Sequence, residues 1–394
     1  MNKRISVIFI FLAFVLSFGY ILNNTFKSSA IAEQEKEDVL VIKSKSAYMI
    51  DWNSKTPIYS QMENERLPIA SMCKIMTLLL IFENIDNGNL SLETLIPVSE
   101  NASGMGGSQV FLESNAEYPA SELIKSIVVA SANDACVAMA EYLYGGEDVF
   151  VSQMNQKAKE LSMDNTVFVN CTGLPRIGQY SCAKDVAVMF CELLKHSEYF
   201  TFSNVWMDDI HHPKDRITSI SNTNKLIKFY QGCDSGKTGF TSEAGHCLCA
   251  SAVRNGMRIV SVVISAPDSK TRFNEVSSMF NYAFANFQNK LVVNNETPLD
   301  LIVGVEQGKK DTLQVVAENP VHIFAPKTEK ISVEINFEPL NDVIAPVLKG
   351  DLVGHLKIYR DGELVSSVNV LSNEDIYKMT YFDFVKKIIE DWAI

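Results

Sequence analysis

Apolar and polar positions alternate over short stretches as soon as the charged segment 33–38 ends. This alternation predicts strands at residues 39–42, at 47–50 and near 57–59, with a turn at 53–55. A sheet therefore begins at the start of the first domain.

The pattern changes to a helical one between Ser71 and Phe82, where the chain is apolar on nearly all sides. Such a segment predicts a helix that is buried in the middle of a domain, and Lys74 is its one charged residue. Apolar residues recur at helical spacing over 120–144 and 148–161. The middle of the first domain is therefore predicted to be helical.

Strands return at 237–241, 245–253 and 257–266, and a helix is predicted over 272–287. Asn255-Gly256, between the last two strands, is a strong hairpin signal. An α/β (α+β) domain follows over 39–290, in which one antiparallel sheet is covered by helices and a helical insertion forms a second lobe. A cleft is expected between the two lobes.

The chain beyond residue 290 has short alternating strands, which predict a small all-β domain over 297–371. From Ser372, read as an N-cap, residues 372–394 predict an amphipathic helix. Its apolar stripe consists of Tyr377, Tyr381, Phe384, Ile388 and Trp392. This helix either lies in a membrane interface or packs on the β domain, and the sequence favours neither.

The N-terminus has the pattern of a signal peptide, with Lys3 and Arg4 before an apolar run over 5–22 and Ala30-Ile31-Ala32 after it. We expect residues 1–32 to be removed and the protein to be exported. The run is also just long enough for an uncleaved membrane anchor, which stays open as an alternative.

The net charge of −12 argues against nucleic acid as a partner, because binding phosphate backbones requires clustered positive charge.

The eight cysteines mostly lie inside apolar patterns, so we interpret them as small core residues rather than as members of disulfide bonds. No CxxC or HExxH motif occurs, and neither a metal nor a cofactor is expected. The pair His211-His212 is best explained as part of a solvated loop.

The first candidate for chemistry is Ser71 with Lys74, three residues apart and therefore on one face of a helix. Burial in an apolar segment disfavours an ammonium ion, so the pKa of Lys74 should fall toward a range in which the amine acts as a base for Ser71. The pattern alone occurs often by chance, and a lysine that extends from a helix end to solvent would explain it equally.

Two further polar groups interrupt apolar surroundings. Ser131 and Asn133 lie where a plain helix would have apolar residues; they are either a proton relay and a substrate-orienting amide, or an N-cap between two helices. Lys237-Thr238-Gly239 opens a strand, and its cation, hydroxyl and exposed backbone suit a peptide that ends in a carboxylate. Taken singly, a strand lysine is usually just solvated.

Together these elements resemble the penicillin-recognising serine enzymes, and most closely the D-alanyl-D-alanine carboxypeptidases, the low-molecular-weight penicillin-binding proteins of peptidase family S11. The similarity runs from about residue 39 to the C-terminus and is strongest over the first domain. The stretches that carry it are Ala70–Thr77, Ser131–Ala135, Met154-Asn155, Asn170–Leu174, Asp234–Thr241 and Glu243–Gly245. Gln179 and Cys182 depart from the family pattern, where histidine and threonine are common.

The resemblance implies a transpeptidase-like fold and a role for each motif residue. Ser71 would attack the bond between the terminal D-alanines of a peptidoglycan stem peptide, with Lys74 as base. Ser131 would pass the proton to the leaving D-alanine, Asn133 would hold the peptide, and Lys237 with Thr238 would bind the terminal carboxylate. The backbone N–H groups of Ser71 and Phe240 would form the oxyanion hole.

The resemblance also implies that β-lactams are covalent inhibitors and that the enzyme works at the outer face of the cytoplasmic membrane. A class A β-lactamase shares the chemistry but normally ends after one domain. A catalytically inactive wall-binding protein is a second alternative, and the intact Ser71, Lys74, Ser131 and Lys237 argue against it.

Overall fold

A computed structural model of the chain describes residues 40–340 and 342–392, so the predicted signal peptide at 1–32 lies outside the described residues. The helices are α1 (Lys74–Asp86), α2 (Glu100–Ser103), α3 (Ala120–Lys125), α4 (Asn133–Tyr144), α5 (Glu147–Glu160), α6 (Ala183–Leu193), α7 (Tyr199–Ser203), α8 (Leu226–Phe229), α9 (Ser269–Asn286) and α10 (Tyr381–Trp392).

The strands of the first part of the chain are β1 (Ser46–Asp51), β2 (Pro57–Gln61), β3 (Leu95–Pro97), β4 (Glu117–Pro119), β5 (Met207–His211), β6 (Ile217–Ser221), β7 (Cys233–Thr241), β8 (Gly245–Arg254) and β9 (Met257–Ala266). Those that follow are β10 (Phe287–Val293), β11 (Val303–Gly304), β12 (Thr312–Leu313), β13 (Val315–Ala317), β14 (Val321–Pro326), β15 (Glu334–Pro339), β16 (Leu352–Arg360) and β17 (Glu363–Ser372).

The first domain is built on an antiparallel five-stranded sheet with the order β2-β1-β9-β8-β7. The two ends of the domain meet in this sheet, as the strand pattern predicts. Asn255 and Gly256 join β8 to β9 with positive φ at both positions, 50° and 72°, which is the geometry that an Asn-Gly hairpin favours. Strand β7 lies at the edge of the sheet, so one side of its backbone has no strand partner among the described residues.

Residues 40–42 form no strand, so the predicted strand at 39–42 is wrong over its described part. The chain there is held by a side chain instead of by the sheet. The N–H of Lys43 and both the N–H and the hydroxyl of Ser44 donate to the carboxylate of Glu275 on α9. Regular pairing therefore begins only at Ser46.

The helical lobe is centred on α1, whose first nine residues are buried. A 3-10 turn at Ala70–Cys73 precedes it, so the predicted helix starts with a tighter turn. The predicted helix at 120–144 is broken. After α3 the chain makes a π-helical turn at Ser126–Ala130, and Ser131 then adopts a left-handed conformation (φ 63°) before α4 starts.

The N-cap of α4 is Ala132, and no side chain caps this helix. The interpretation of Ser131 or Asn133 as its capping residue is therefore wrong.

The interpretation of His212 as part of a solvated loop is also wrong. Its ring is buried, with Nδ1 2.9 Å from the hydroxyl of Tyr118 and Nε2 2.9 Å from that of Thr218. A histidine that bonds through both nitrogens satisfies its polar groups without solvent.

The C-terminal part is an all-β domain, as predicted. It contains a four-stranded sheet with the order β13-β17-β16-β15 and a two-stranded sheet in which β10 pairs with β14. Strand β10 follows α9 directly at Phe287. The domain core consists of small aliphatic residues such as Val315, Ile358 and Val370.

The C-terminal helix starts at Tyr381, so its predicted start at Ser372 is wrong. Ser372 ends β17, and the chain after it pairs with the β domain through Ile376 and Val347. These backbone hydrogen bonds prevent a helix until Thr380, whose hydroxyl accepts from the N–H of Asp383 while the Asp383 carboxylate accepts from the Thr380 N–H. Among the described helices, none has the length and apolar character needed to cross a membrane.

Candidate active site

Ser71 lies in the 3-10 turn that leads into α1, one turn before Lys74. The Lys74 Nζ donates to the Ser71 Oγ at 3.1 Å and to the carbonyl oxygen of Thr172 at 2.5 Å. The Thr172 carbonyl thus fixes the direction of the amine, and the amine stays in hydrogen-bond range of the serine. A base within 2.6–3.2 Å of a nucleophile meets the geometric requirement for proton transfer.

Lys74 is fully buried, and this burial lowers its pKa from the ordinary lysine value. The neighbouring thiols of Cys136, Cys73 and Cys171 would raise it only if they were ionised. Burial raises the pKa of each of these thiols, that of Cys136 to about 12, so they stay neutral at physiological pH. The Asp134 carboxylate also raises the pKa of Lys74, but desolvation is the larger effect, so the pKa is lowered and the amine is a better base than an ordinary lysine at the same pH.

Ser131 and Lys237 form the second pair of the site. The Lys237 Nζ donates to the Ser131 Oγ at 2.7 Å and to the carbonyl oxygen of Thr238 at 3.3 Å. Lys237 is buried as well, and burial, together with the charges of Lys74 and Arg272, moves its pKa well below the usual range. The two lysines are thus close enough to influence each other's charge.

Asn133 begins α4 and is clasped by the loop at Gly106–Ser108. Its Nδ2 donates to the Gly106 carbonyl at 2.7 Å and its N–H to the Ser108 carbonyl at 2.7 Å. A Cβ at Gly107 would lie 2.8 Å from this Nδ2, so the loop packs directly on the amide. The Asn133 Oδ1 is buried without a partner, which leaves one oriented acceptor for a donor from a ligand.

Glycines allow β7 and the 172–174 turn to approach the nucleophile. A Cβ at Gly239 would lie 2.6 Å from the Ile69 carbonyl oxygen and 3.3 Å from the Ser71 nitrogen. A Cβ at Gly173 (φ 82°) would lie 2.1 Å from the Ala70 carbonyl oxygen. Gly239 thus packs directly against the backbone of Ile69–Ser71, and Phe240 is the next residue of β7.

The structure therefore brings Ser71, Lys74, Ser131, Asn133 and Lys237 together with the β7 segment that contains Thr238 and Phe240. Phe240 is exposed, and its ring stacks on His246 of β8 at a centroid distance of 4.4 Å. Thr238 is buried beside Lys237.

Sequence reasoning missed two residues of the site. Arg272 of α9 donates to the carbonyl oxygens of Gly239 (2.9 Å) and Cys247 (3.2 Å), while its buried Nε has no partner. Asp134 is fully buried and accepts from the N–H groups of Val110, Leu112 and Ala135. Asp134, inside an apolar stretch, was an available signal, whereas Arg272 lies among polar residues and gave none.

Gln179 and Cys182, the two departures from the family pattern, lie outside the set of predicted site residues. The Gln179 Oε1 accepts from the N–H groups of Val169 and Asn170, and the Asn170 Oδ1 in turn accepts from Thr172 and Gly173. Through Asn170, Gln179 thus helps to fix the Thr172 carbonyl, which in turn orients the Lys74 amine. The Cys182 Sγ caps α6 by accepting from the Asp185 N–H at 3.4 Å.

All eight cysteines are buried free thiols, which confirms their interpretation as core residues. Within residues 40–340 and 342–392, no group of three His, Cys, Asp or Glu side chains is arranged to hold a metal ion.

Comparison with known families agrees with this geometry. The pattern of peptidase S11, D-alanyl-D-alanine carboxypeptidase, matches residues 31–268, and that of the penicillin-binding protein 5 C-terminal domain matches residues 287–378. The chain belongs to the D-alanyl-D-alanine carboxypeptidase family. The resemblance drawn from the motifs is thus confirmed, and so is the fold class.

Individual relatives cover almost the whole chain. The D-alanyl-D-alanine carboxypeptidase DacF of Bacillus subtilis (strain 168) is 40% identical over 373 residues, which are 94% of this chain and 95% of the relative. DacA of Escherichia coli (strain K12) is 29% identical over 376 residues, 89% of each chain. The solved penicillin binding protein 5 of Haemophilus influenzae superposes with a TM-score of 0.66 at 27% identity, over 86% of this chain and 98% of that one.

Proposed function

We propose that this protein is a penicillin-binding, serine-type D-alanyl-D-alanine carboxypeptidase that removes the terminal D-alanine from peptidoglycan stem pentapeptides through an ester on Ser71. The observation that carries the proposal is the convergence of two buried amines, each on its own hydroxyl, in one cleft: Lys74 on Ser71, and Lys237 on Ser131. Membership of the carboxypeptidase family supplies the substrate class.

Acylation starts with the transfer of the Ser71 proton to the neutral Lys74 amine. The Oγ attacks the carbonyl carbon of the penultimate D-alanine, and the N–H groups of Ser71 and Phe240 stabilise the negative charge on the oxygen. Ser131 delivers a proton to the leaving nitrogen and takes the proton held by Lys74 in its place, the C–N bond breaks and D-alanine departs. Water then hydrolyses the ester and returns the proton to the serine.

Substrate binding uses the remaining residues of the site. Lys237 and the hydroxyl of Thr238 bind the terminal carboxylate as donors, and the negative charge of the carboxylate in turn favours the protonated form of the Lys237 amine. The unpartnered Asn133 Oδ1 accepts an N–H of the peptide backbone. Arg272 adds positive charge behind the Gly239 carbonyl, which favours an anion at this end of the cleft.

β-Lactams follow the same path as far as the ester, because their strained amide stands in for the D-alanyl-D-alanine bond. The β-lactamase and inactive-protein alternatives are less well supported. The curated relatives that cover most of this chain are named carboxypeptidases, and the chain has the additional C-terminal domain.

The cellular setting follows from the substrate. We propose export by a signal peptide at residues 1–32, a catalytic domain at 39–290, a β domain at 297–371 and attachment to the outer face of the cytoplasmic membrane through the C-terminal segment. The exposed apolar side chains of α10 support this attachment; they are Tyr381, Phe382, Phe384, Val385, Ile388 and Ile389. The polar side of the helix is held by the β domain, through the ion pairs Lys387–Asp311 and Lys309–Asp383.

The test is release of D-alanine from a stem pentapeptide by the purified protein, with Ser71→Ala as the matched variant. We expect stoichiometric conversion to the tetrapeptide by the wild type and none by the variant. Turnover of penicillin at a higher rate than the pentapeptide would favour the β-lactamase alternative, and an inert wild type would favour the wall-binding one.

A further inference from the structure

A cavity of about 410 Å³ lies where the first domain meets the C-terminal β domain. The first domain contributes the turn between β1 and β2, with Asp51 and Asn53. The C-terminal domain contributes side chains of four strands, among them Asn289 of β10, His322 of β14 and Ser366 of β17. Ligand sites often lie between domains, and the volume of this cavity is within their usual range.

The cavity is remote from the catalytic cleft. The strand registers place Asp51 level with Cys233, which is six residues before Gly239 on β7. Six residues span about 20 Å along a strand, and the two strands between β1 and β7 add about 14 Å across the sheet. None of the site residues described above lines the cavity, so it is a separate place on the molecule.

Asp51 supplies this cavity with an unused hydrogen-bond acceptor. Its side chain is fully buried, and its Oδ2 accepts from the N–H of Ser54 at 2.7 Å and from the Ser54 hydroxyl at 2.8 Å. Its Oδ1 is buried without a partner in the described part of the chain. A buried carboxylate oxygen that accepts no hydrogen bond is costly, and a ligand that donates one would remove this cost.

The other unused groups of the cavity are donors and acceptors at once. Among the residues that the structure describes, the side chains of Asn53, His322 and Ser366 form no hydrogen bond. An amide, a neutral imidazole and a hydroxyl can each both donate and accept. The guanidinium of Arg360 also lines the cavity, but Glu329 and the Phe324 carbonyl engage it. The lining therefore suits an uncharged polar ligand better than a polyanion.

One side of the cavity is apolar. Ile323 and Phe324 are buried there, and the Phe324 ring stacks on Phe287 at 5.1 Å, which holds this side in place. Val365 adds an apolar side chain that is 48% exposed. A ligand that matches the whole cavity carries hydroxyl and amide groups, no net charge and an apolar face. N-acetylated amino sugars have this chemistry.

We propose that this cavity binds an N-acetylated sugar of a glycan strand while a stem peptide of the same strand occupies the cleft. The choice of glycan rests on the proposed function, because stem peptides are attached to strands of such sugars. An extended pentapeptide spans at most about 18 Å, which is less than the distance between cavity and cleft. Sugars of the strand cover the remainder. The cavity thus strengthens binding of peptides on glycan and leaves free peptides unaffected.

The test measures binding of peptide-free glycan strands and of chitotetraose, an oligomer of N-acetylglucosamine, to the full chain by calorimetry. The test variant is Ser366→Tyr, whose ring fills the cavity. Ser367→Tyr is the control, because Ser367 is exposed and neighbouring residues of a strand point to opposite faces. We expect Ser366→Tyr to bind both glycans at least about tenfold more weakly than the wild type and the control, since the ring clashes with the sugar.

Asp51→Asn is a second variant, of nearly the same shape as the wild type. It puts an N–H in place of the unused oxygen or gives up a bond to Ser54, and should weaken glycan binding about tenfold. Activity gives a further readout. On pentapeptides attached to glycan, both variants should raise KM about tenfold with kcat unchanged, and on the free pentapeptide both should stay within about twofold of the wild type.

A wild type that hydrolyses the free pentapeptide but binds neither glycan would overturn the inference. So would Ser366→Tyr and Asp51→Asn variants that bind glycan like the Ser367→Tyr control. Tighter binding of poly(glycerol phosphate) than of glycan would also overturn it, because the cavity would then be a phosphate site. A wild type that leaves the free pentapeptide intact would instead overturn the proposed function itself.

Discussion

The Nζ of Lys237 lies 2.7 Å from the Oγ of Ser131, across 106 residues of sequence. Ser131 is placed by a left-handed break between a π-helical turn and α4, and Lys237 by the edge strand β7. This hydrogen bond joins the helical lobe to the sheet at the centre of the cleft. Ser131 thus combines a strained backbone with a hydroxyl that accepts a hydrogen bond from Lys237.

Replacing Ser131 by glycine should separate catalysis from folding. Glycine tolerates the φ of 63° at this position, so the backbone is kept while the hydroxyl is lost. We expect kcat for D-alanine release to fall at least about 100-fold, the usual lower range for losing a proton-transfer group. Thermal unfolding should change little. A variant with wild-type kcat would show that Ser131 has no part in proton transfer.

Gly239→Ala should impair acylation through sterics alone. The added Cβ would press on the Ile69 carbonyl oxygen at 2.6 Å and widen the space between β7 and Ser71. We expect at least about a tenfold slower covalent labelling by a fluorescent penicillin, since a displacement near 1 Å can cost about 100-fold. Gly304→Ala is the control, because nothing lies within 4 Å of its Cβ. Equal labelling of both variants would contradict the close approach of β7.

His212 should make stability depend on pH. Burial, and next the charge of Arg216, lower its pKa from 6.5, while Glu113, Asp134 and Glu122 act in the opposite direction. The unfolded state therefore binds the proton more readily than the folded one, so stability is lost as the pH falls below about 6.5. We expect a smaller drop in Tm between pH 7.5 and 5 for His212→Gln than for the wild type.

Equal drops in Tm for His212→Gln and wild type would show that other groups dominate acid destabilisation. Glutamine can still bond one of the two neighbours of His212, the hydroxyls of Tyr118 and Thr218, so the variant should stay folded at pH 7.5.

The α10 helix should bind vesicles through its exposed apolar side. Phe384→Glu and Ile388→Glu each remove a large apolar side chain from that side, and burial of such a side chain stabilises by about 1.5–3 kcal/mol. We expect each variant to sediment with anionic vesicles at least about tenfold less than the wild type. Val365→Glu, an exposed position on β17, is the control and should bind normally. Undiminished binding by the α10 variants would exclude this helix as the attachment site.

The elements with strong local signals were predictable from the sequence. The buried helix after Ser71 was fixed by its continuous apolar pattern, and the β8–β9 hairpin by Asn255-Gly256. The candidate site was predictable from its motifs in combination and from the family resemblance that they carry, although each motif taken singly had an ordinary structural explanation. Ser71-Lys74 and Ser131-Asn133 also place polar groups in apolar surroundings, where such groups need a specific partner.

The wrong predictions of element bounds arose where contacts between residues far apart in the sequence overrode the local hydrophobic pattern. Glu275 holds the segment at Lys43 and Ser44 away from the sheet, and pairing of Ile376 with Val347 delays the last helix to Tyr381. The support of Asn133 by the Gly106 carbonyl and the position of Arg272 under β7 depend on chain segments 27 and 33 residues away. No local spacing encodes such contacts.

The central claim is that burial lowers the pKa of Lys74 so that its amine serves as the base for Ser71, and the rate of Ser71 acylation by benzylpenicillin as a function of pH tests it most directly. Because burial lowers the pKa of Lys74 below 10.5, the amine loses its proton at lower pH than an ordinary lysine. The acylation rate should therefore rise and level off at a lower pH than the pKa of an ordinary lysine, and Lys74→Ala should acylate at least about 100-fold more slowly. A rate that climbs until about pH 10.5, or a Lys74→Ala variant that acylates like the wild type, would contradict the account.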